Sequence, residues 1–318
     1  MTQNKILITG ARGQVGNVLY SELSKKYGKE NIIASDIKEM PEAEVFELLD
    51  VTDIEAMKQV VKKHGITDIY HLAAILSAKG EQDPLWTWEL NLQGLFNILE
   101  ASRTSDVQKI FFPSSIAVFG HKSKLIKAPQ SSITDPSTVY GMSKVAGEYW
   151  CQYYHNKYGL DIRSVRYPGV IGHQSMPGGG TTDYAVEIFQ YALNNKEYSC
   201  FLDKDTRLPM IYMEDAIRAT FEIMEAPAES IKIRTSYNIS GTNFTPKELV
   251  HEIKKHHPNF ICNYAPDFRQ EIADSWPQKI NDTEAMVDWG WKASYDLKKM
   301  VTSMFENLAK KIPATIQL

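Results

Sequence analysis

The 318-residue sequence is short of several features that mark particular classes of protein. It holds only three cysteines, scattered at Cys151, Cys200 and Cys262, which are too few for a disulfide framework and indicate buried thiols in a reducing compartment. No apolar run approaches the ~20 residues that cross a bilayer. These absences exclude a disulfide-rich scaffold and give no reason to expect contact with a membrane.

The sequence also lacks a large net charge. The net charge is −4, and charges of one sign do not cluster in long runs, so we expect no nucleic-acid partner and no membrane partner. The eight histidines form no H-E-x-x-H motif and pair with no cysteine at zinc spacing, so we predict no metal site. The first apolar strand begins near residue 5, which leaves no room for a signal peptide and indicates a cytoplasmic protein.

The amino-terminal segment joins an apolar strand to a glycine-rich turn. The strand predicted at 5–9 is followed by a G-x-x-G-x-x-G spacing and then by a helical pattern over 14–27. Glycines allow a tight turn whose N–H groups approach a pyrophosphate, and the helix directs the positive end of its dipole at the same group. We therefore predict that a dinucleotide contacts Gly10, Gly13, Gln14, Val15 and Gly16.

An acidic residue follows the last glycine by about 20 positions, as in dinucleotide-binding folds. Asp36 ends the predicted strand 32–35, and its carboxylate can accept hydrogen bonds from ribose hydroxyls while repelling a 2′-phosphate. The segment therefore predicts NAD rather than NADP, with Asp36 and the adjoining Ile37 at the cofactor. The alternative is that Asp36 is only a turn residue at the end of a strand.

Strands and helices alternate through about residue 168, which predicts a parallel sheet with helices on both faces. Such an α/β, doubly wound sheet of the Rossmann type binds ligands beyond the carboxyl ends of its strands. The predicted strands are 5–9, 32–35, 68–72, 109–113 and 161–167, and the predicted helices are 14–27, 54–64, 85–102 and 140–158.

After residue 168 the pattern loosens, and a glycine-rich loop is predicted over 176–182. Short strands at 199–202, 211–213, 237–239 and 263–264 and helices at 184–194, 214–224, 246–256 and 295–310 indicate a smaller carboxyl-terminal α/β lobe. We expect an NAD-binding Rossmann domain over 1–168, with a return segment near 211–240, and a substrate-binding lobe over 169–210 and 241–318.

Tyr140 and Lys144 are spaced Y-x-x-x-K at the start of a helical pattern, so their side chains share one face. An ammonium beside a phenol favours the phenolate, and we expect the tyrosine pKa, ordinarily ~10, to fall toward neutrality. A tyrosinate can take a proton from a substrate hydroxyl. Ser114 and Ser115 close the fourth predicted strand, and Ser115 is the favoured partner for the substrate oxygen. The alternatives are a surface Tyr–Lys pair and two turn serines.

These motifs together resemble the extended short-chain dehydrogenase/reductase family, whose members include NAD-dependent epimerases and dehydratases. The resemblance rests on the glycine turn, Asp50-Val51, His71-Leu-Ala-Ala74, Asn91, Ser114-Ser115, the Tyr140–Lys144 pair and Tyr167-Pro-Gly169. It implies that Tyr140, Lys144, Ser115 and Asn91 are catalytic, with Asn91 supporting the proton relay. It also implies that NAD contacts Tyr140 and Lys144 and, besides the residues above, Asp50, Val51, Leu72, Ala73, Ala74, Asn91 and Pro168.

Within that family, the segments 75–81, 166–169, 180–189, 208–213 and 273–277 resemble members that oxidise the side-chain hydroxyl of L-threonine. This resemblance implies threonine catabolism with 2-amino-3-oxobutanoate as the product, for use by a CoA ligase. It places the substrate against Ser77, Ser115, Tyr140, Thr181, Thr182 and Trp276. The two threonine hydroxyls and the N–H groups at the following helix start are candidates for the substrate carboxylate.

The same resemblance implies a homodimer in which the helices 85–102 and 140–158 pair with their mates. The apolar positions that suggest such a surface are Leu92, Leu95, Phe96 and Leu99 on one helix and Val145, Tyr149 and Tyr153 on the other. The alternative is simple packing of these helices on the sheet.

Two other functions remain open on the sequence. A nucleotide-sugar epimerase or dehydratase would share the cofactor-binding half and would need arginines for a diphosphate, for which Arg207, Arg218, Arg234 and Arg269 are available. A non-catalytic NAD-sensing protein would not need the Tyr140–Lys144 pair, which is present.

Overall fold

Seven parallel strands form the main sheet of the computed structural model, which describes residues 4–123, 126–176 and 178–311. The outermost parts of the predicted domains, 1–3 and 312–318, and Pro177 of the predicted loop lie outside the described residues. In chain order the strands are β1 Ile6–Thr9, β2 Ile32–Asp36, β3 Val45–Leu48, β4 Asp68–His71, β5 Lys109–Ser115, β6 Asp161–Tyr167, β7 Gly169–Ile171, β8 Tyr198–Cys200, β9 Leu208–Tyr212, β10 Tyr237–Asn238, β11 Thr242–Phe244 and β12 Cys262–Tyr264.

The helices connect these strands across both faces of the sheet. In chain order they are α1 Gln14–Tyr27, α2 Ile54–His64, α3 Ser77–Gly80, α4 Pro84–Arg103, α5 Val139–Tyr158, α6 Tyr184–Leu193, α7 Met213–Glu225, α8 Pro246–Lys254, α9 Arg269–Asp274, α10 Thr283–Trp289 and α11 Leu297–Ala309. None of the helices in the described ranges is long and apolar enough to cross a membrane.

The main sheet has the strand order β10-β6-β5-β4-β1-β2-β3, and all its pairs are parallel. The order reverses between β1 and β4, which is the point where ligands bind in sheets of this kind. The predicted doubly wound Rossmann sheet is therefore confirmed. A three-stranded sheet, β11-β9-β7, and a two-stranded sheet, β12-β8, make up the remaining β structure of the described chain.

Alternating side chains of the central strands fill two separate cores. Ile6 and Ile8 of β1 belong to the core under α1 and α7, whereas Leu7 belongs to the core under α2, α4 and α5. This alternation is the reason that strands buried on both faces are apolar without a break. A third core lies between α6, α8 and α11.

The catalytic helix predicted at 140–158 is well defined at both ends. Thr138 caps α5 by accepting the N–H of Gly141 at 3.0 Å, and Glu81 accepts the N–H of Val139 at 2.9 Å. The helix stops at Gly159, whose φ of 74° few residues other than glycine adopt.

The long elements match their predicted ranges closely, and the short strands do not. The strands β3, β7 and β11 were not predicted, because segments of three or four residues gain strand geometry from pairing with neighbours rather than from their own periodicity. The strand predicted at 211–213 lies instead at Leu208–Tyr212, since Met213 already begins α7.

The apolar stripe predicted for a partner is largely internal. Leu92, Leu95 and Leu99 are 5%, 0% and 0% exposed and pack inside this chain, so they are not available to another. The outer side of the α4–α5 pair instead presents a row of edge-to-face aromatic rings, Phe96, Trp150, Tyr153 and Tyr158, which we name the aromatic face.

Candidate active site

A cavity of about 450 Å³ opens where β1, β4, β5 and β6 end. Of the predicted site residues, its wall contains Gly10, Gly13, Gln14, Val15, Gly16, Leu72, Ala74, Ser77, Ser115, Tyr140, Lys144, Pro168, Thr181, Thr182 and Trp276. Outside that wall lie Asp36, Ile37, Asp50, Val51, Ala73 and Asn91. Residues from both halves of the sequence therefore meet at one opening.

The glycine turn is packed so closely that side chains would not fit. Gly10 has a φ of 68°, and a Cβ placed on it would lie 2.7 Å from the backbone nitrogen of Ala73. The N–H of Gly13 donates to the carbonyl of Gly10 at 3.0 Å, which closes the turn before α1 begins. The backbone of Ala73 thus packs directly against the turn, and the amino-terminal end of α1 lies at the cavity wall.

The start of α1 is suited to a phosphate group. Gly13 is the cap and provides no side-chain hydrogen bond, and the first turn of this described helix contains no acidic residue that would repel an anion. The Nε2 group of Gln14, in the same wall, is buried without a hydrogen-bond partner in the described part of the chain. These unpaired donors fit the pyrophosphate of a dinucleotide.

Asp36 ends β2 beside the glycine turn. Its Oδ2 accepts the N–H of Arg12 at 3.1 Å, and its Oδ1 accepts the N–H of Lys38 at 3.3 Å. Because Arg12 is part of the cavity wall, the carboxylate lies next to the opening although outside it. Each oxygen retains acceptor capacity for a ribose hydroxyl.

Three further residues predicted to contact NAD, Ile37, Asp50 and Val51, follow the strands β2 and β3. Asp50 is exposed and accepts the N–H and hydroxyl of Thr52 at 2.9 and 2.7 Å, which orders the turn after β3. Val51 is buried, and its carbonyl accepts the amide of Asn97 at 2.8 Å. Ile37 is 65% exposed, so its side chain could cover a ligand without leaving a core.

Tyr140 and Lys144 face the cavity from α5, as predicted, but the electrostatics differ from the expectation. Burial raises the pKa of Tyr140 to about 12, and a hydrogen bond with Ser115 opposes this rise only in part. Burial also lowers the pKa of Lys144 to about 8. Without a cofactor, the lysine does not bring the pKa of Tyr140 toward neutrality, because removal from water penalises both charges.

The structure distinguishes the two serines that end β5. Ser114 donates its hydroxyl to Oε1 of Glu148 at 2.5 Å and so points to the protein interior. Ser115 contacts the phenol of Tyr140 and accepts the N–H of Ala117 at 3.2 Å. This arrangement supports Ser115, rather than Ser114, as the hydroxyl beside the reacting groups.

Asn91 acts on the backbone rather than on the cavity. Its Oδ1 accepts the N–H of Ile75 at 2.9 Å, while its Nδ2 donates to the Ile75 carbonyl and to the Ser143 hydroxyl, each at 3.1 Å. Ser143 in turn donates to the carbonyl of Tyr140 at 2.8 Å. Both amide hydrogens of Asn91 are used, so in this arrangement it braces the segment before α3 and the first turn of α5.

The predicted substrate residues come from separate elements and form polar contacts at the cavity. Ser77 and Thr181 are buried, and their hydroxyl oxygens lie 3.1 Å apart. Trp276, from the turn after α9, is 5% exposed, and its Nε1–H has no partner among the residues that the structure describes. A buried donor without a partner costs about 1–3 kcal/mol, so this N–H is suited to a ligand acceptor.

Asp183 is a wall residue that the sequence interpretation used only as a helix boundary. Its Oδ2 accepts the N–H groups of Gly179 and Gly180 at 2.8 and 2.7 Å. A carboxylate therefore already lies at the start of α6. Binding of the substrate carboxylate by the N–H groups there stays a prediction, which the charge of Asp183 disfavours. The signal that could have identified Asp183 is its position immediately after the predicted pair Thr181-Thr182.

The arginines that a nucleotide-sugar enzyme would need are engaged elsewhere. The guanidinium groups of Arg207, Arg218, Arg234 and Arg269 form ion pairs with Glu248, Asp215, Asp161 and Asp267 at 2.5, 2.8, 2.7 and 2.6 Å. None of the four contributes to the wall of the cavity as the described residues define it. The part of the chain that the structure describes also holds no group of three or more side chains arranged for a metal ion.

Comparison with known proteins agrees with the geometry. The NAD dependent epimerase/dehydratase family matches residues 6–240. The mitochondrial L-threonine 3-dehydrogenase of Bos taurus is 46% identical over 307 residues, covering 95% of this chain and 82% of that protein. An uncharacterized epimerase/dehydratase of Staphylococcus haemolyticus is 44% identical over 313 residues, covering 96% of this chain and 98% of that protein.

Among solved structures, the holo form of a GalE-like L-threonine dehydrogenase from Cupriavidus necator is 50% identical, with a TM-score of 0.94. The alignment covers 96% of this chain and 99% of that one. The family resemblance stated from the motifs is confirmed by these matches. With its Rossmann sheet, its glycine turn and a family match over most of its length, the chain belongs to the NAD dependent epimerase/dehydratase family.

Proposed function

We propose that this protein oxidises the side-chain hydroxyl of L-threonine to 2-amino-3-oxobutanoate with NAD. The observation that carries the proposal is the convergence of Tyr140, Lys144 and Ser115 with unpaired Trp276 Nε1–H around one cavity. The relatives named L-threonine dehydrogenase, at 46% and 50% identity, supply the substrate. The engaged arginines argue against the nucleotide-sugar alternative.

Side chains of the protein remove the proton from the substrate hydroxyl. Ser115 orients the substrate hydroxyl, and Tyr140 accepts its proton as the carbon–hydrogen bond breaks. NAD, when bound, supplies the acceptor for the hydride leaving the β-carbon. Lys144 holds the cofactor ribose and places a positive charge beside the phenolate, which partly offsets the cost of burying that negative charge.

The head group of the substrate is a zwitterion and needs partners of both signs. Asp183 provides a carboxylate at the wall for the ammonium group. Trp276 Nε1–H and the hydroxyls of Thr181 and Thr182 provide donors for the carboxylate, with Ser77 fixing Thr181. The product is a β-keto acid, which a CoA-dependent ligase would consume.

Replacement of Tyr140 by phenylalanine should abolish oxidation while leaving the cavity intact. We expect kcat with L-threonine to fall by ~10²–10⁴-fold, the usual effect of removing a general base, with NADH affinity unchanged. Steady-state NADH formation and NADH fluorescence titration measure the two quantities. The matched control is Tyr154→Phe on the same helix, whose hydroxyl binds Glu100 outside the cavity, and which should keep normal turnover. Normal turnover in Tyr140→Phe would refute the mechanism.

Asp36 should set the preference for NAD over NADP. Asp36→Ala should weaken NAD, by removing hydrogen bonds to the ribose, and improve NADP, by removing repulsion of its phosphate. Asp36→Asn retains hydrogen-bonding capacity without the charge and should mainly improve NADP. The ratio of kcat/KM for the two cofactors tests both variants. Equal use of both cofactors by the unmodified protein would contradict the assignment.

The hydroxyls of Thr181 and Thr182 should act on substrate binding alone. Replacing either by the isosteric valine should raise KM for L-threonine about tenfold, since a hydrogen bond to a charged group contributes about 1.5–3 kcal/mol. NADH affinity should not change. Thr181→Ser and Thr182→Ser retain the hydroxyl and serve as controls. Wild-type kinetics in both valine variants would remove these residues from the substrate site.

We propose that two copies associate through the aromatic face of α4 and α5. Tyr153 is 44% exposed, so Tyr153→Asp should fold normally yet place an uncompensated charge in an apolar interface. Sedimentation velocity at micromolar concentration should show a dimer for the wild type and a monomer for this variant. Leu48→Asp, at a more exposed position on β3, should stay dimeric. A monomeric wild type would exclude the interface.

A further inference from the structure

A pair of opposite charges is buried directly behind the reacting groups. Glu148 of α5 and Arg166 of β6 are 2% and 4% exposed. The guanidinium donates through Nε to Oε1 at 2.8 Å and through Nη2 to Oε2 at 2.7 Å, which is a bidentate pair. Ser114 adds a third donor to Oε1 at 2.5 Å. The carboxylate is thus held by two strands at a fixed position on the catalytic helix.

That position is one helical turn after Lys144, on the same face of α5. Lys144 is itself 5% exposed, with its Nζ 4.7 Å from the ring centre of Phe112 and 5.5 Å from that of Tyr140. The titratable groups that face it are Tyr140, Glu148 and Cys151 from α5 and His71 from β4, and Arg166 of β6 lies behind Glu148. Glu148 is the one acid in this set.

The other members of this set do not supply a negative charge at neutral pH. Burial lowers the pKa of His71 to about 3, so it is neutral, and burial raises the pKa of the Cys151 thiol. Loss of water lowers the pKa of Lys144 to about 8, while Glu148 opposes that loss. Because Nζ of Lys144 lies 5.5 Å from the ring centre of Tyr140, one proton on this pair can be held in two ways, as phenol and amine or as phenolate and ammonium. A nearby carboxylate favours the form in which the lysine holds it.

We propose that Glu148, fixed by Arg166 and Ser114, is a positioning residue that keeps the Lys144 ammonium charged and thereby favours the Tyr140 phenolate. The inference rests on the proposed function for its kinetic consequence, and on the geometry of α5 for the charge itself. The two hydrogen bonds from Arg166 also pair the Glu148 carboxylate, which would otherwise be an unpaired charge in the interior. Ser114 links this pair to Ser115, the next residue along β5.

The first test compares two changes at the same position. Glu148→Gln removes the negative charge, whereas Glu148→Asp retains it and shortens the side chain. Both variants disturb the local packing, but only Glu148→Gln removes the electrostatic effect on Lys144. The ratio of wild-type to Glu148→Gln kcat/KM for L-threonine should rise with pH, from near unity at pH 7 toward about tenfold above pH 9, as Lys144 loses its proton earlier. The ratio for Glu148→Asp should stay flat. Superimposable profiles for Gln and Asp would overturn the proposal.

A second ion pair on the same strand, with a buried arginine and a partly exposed aspartate, provides the control for stability alone. Asp161 and Arg163 form an ion pair at 2.7 Å near the amino-terminal end of β6, which is the end of the strand away from the cavity. Asp161→Asn should destabilise the protein without altering the pH profile. If Glu148→Gln fails to fold, the double variant Glu148→Leu/Arg166→Met removes both charges together, a change that buried pairs tolerate better. The ratio should rise with pH in the same direction but by less, because the opposing charge of Arg166 is removed as well, and a flat ratio would overturn the proposal.

Cofactor binding provides a readout independent of threonine. Because the charged Lys144 is proposed to hold the ribose, NADH affinity of Glu148→Gln, measured by fluorescence, should weaken relative to wild type as the pH rises from 7 to 9.5. Glu148→Asp should not show this trend. If the wild type fails to oxidise threonine, the proposed substrate is wrong while this binding trend still supports the role of Glu148. If the trend is absent, the role of Glu148 is wrong whatever the substrate.

Discussion

The side chain of Lys144 lies at the cavity wall, where little of it is exposed to water. Its side chain is 5% exposed between α5 and the ring of Phe112, so desolvation drives it toward the neutral amine. Most of the surrounding structure can be understood as a response to that cost. Glu148 lies one turn away, Arg166 balances Glu148, and the cofactor site begins at the cavity in front. Under the proposal above, α5 grafted alone would lose the Ser114 and Arg166 contacts that hold the Glu148 carboxylate in place.

The parallel sheet supplies those strands and also the ligand site. Because all seven strands point the same way, their carboxyl ends meet along one edge, and residues as distant in sequence as Gly10 and Pro168 share one wall. Close packing is required for this to happen. Gly10 adopts a positive φ against the backbone of Ala73. The side chain of Asn91 binds the backbone of Ile75 through both its amide oxygen and its amide nitrogen. The cavity is therefore shaped by backbone approach as much as by side chains.

Local signals explain what could be predicted from the sequence. The long helices α1 and α2 and the glycine turn follow from periodicity and spacing, which neighbouring residues determine by themselves. The pKa of Tyr140 could not be predicted in this way, because it depends on how completely the fold excludes water. The short strand β7 and the wall position of Asp183 likewise depend on partners far along the chain. A motif identifies the reacting groups, and packing determines their charges.

Selectivity follows from the groups that the fold leaves unpaired at the wall. Trp276 Nε1–H is buried without an acceptor among the described residues, so a ligand that fails to provide one leaves the full cost of a lost hydrogen bond, about 1–3 kcal/mol. Asp183 imposes a second condition, since it repels an anion such as a diphosphate but attracts an ammonium group. The two conditions act on opposite ends of the same ligand. Under the proposed function, a small zwitterion meets both conditions at once, whereas the diphosphate of a nucleotide sugar is repelled by Asp183, and Arg207, Arg218, Arg234 and Arg269 are already paired with acids outside the cavity wall.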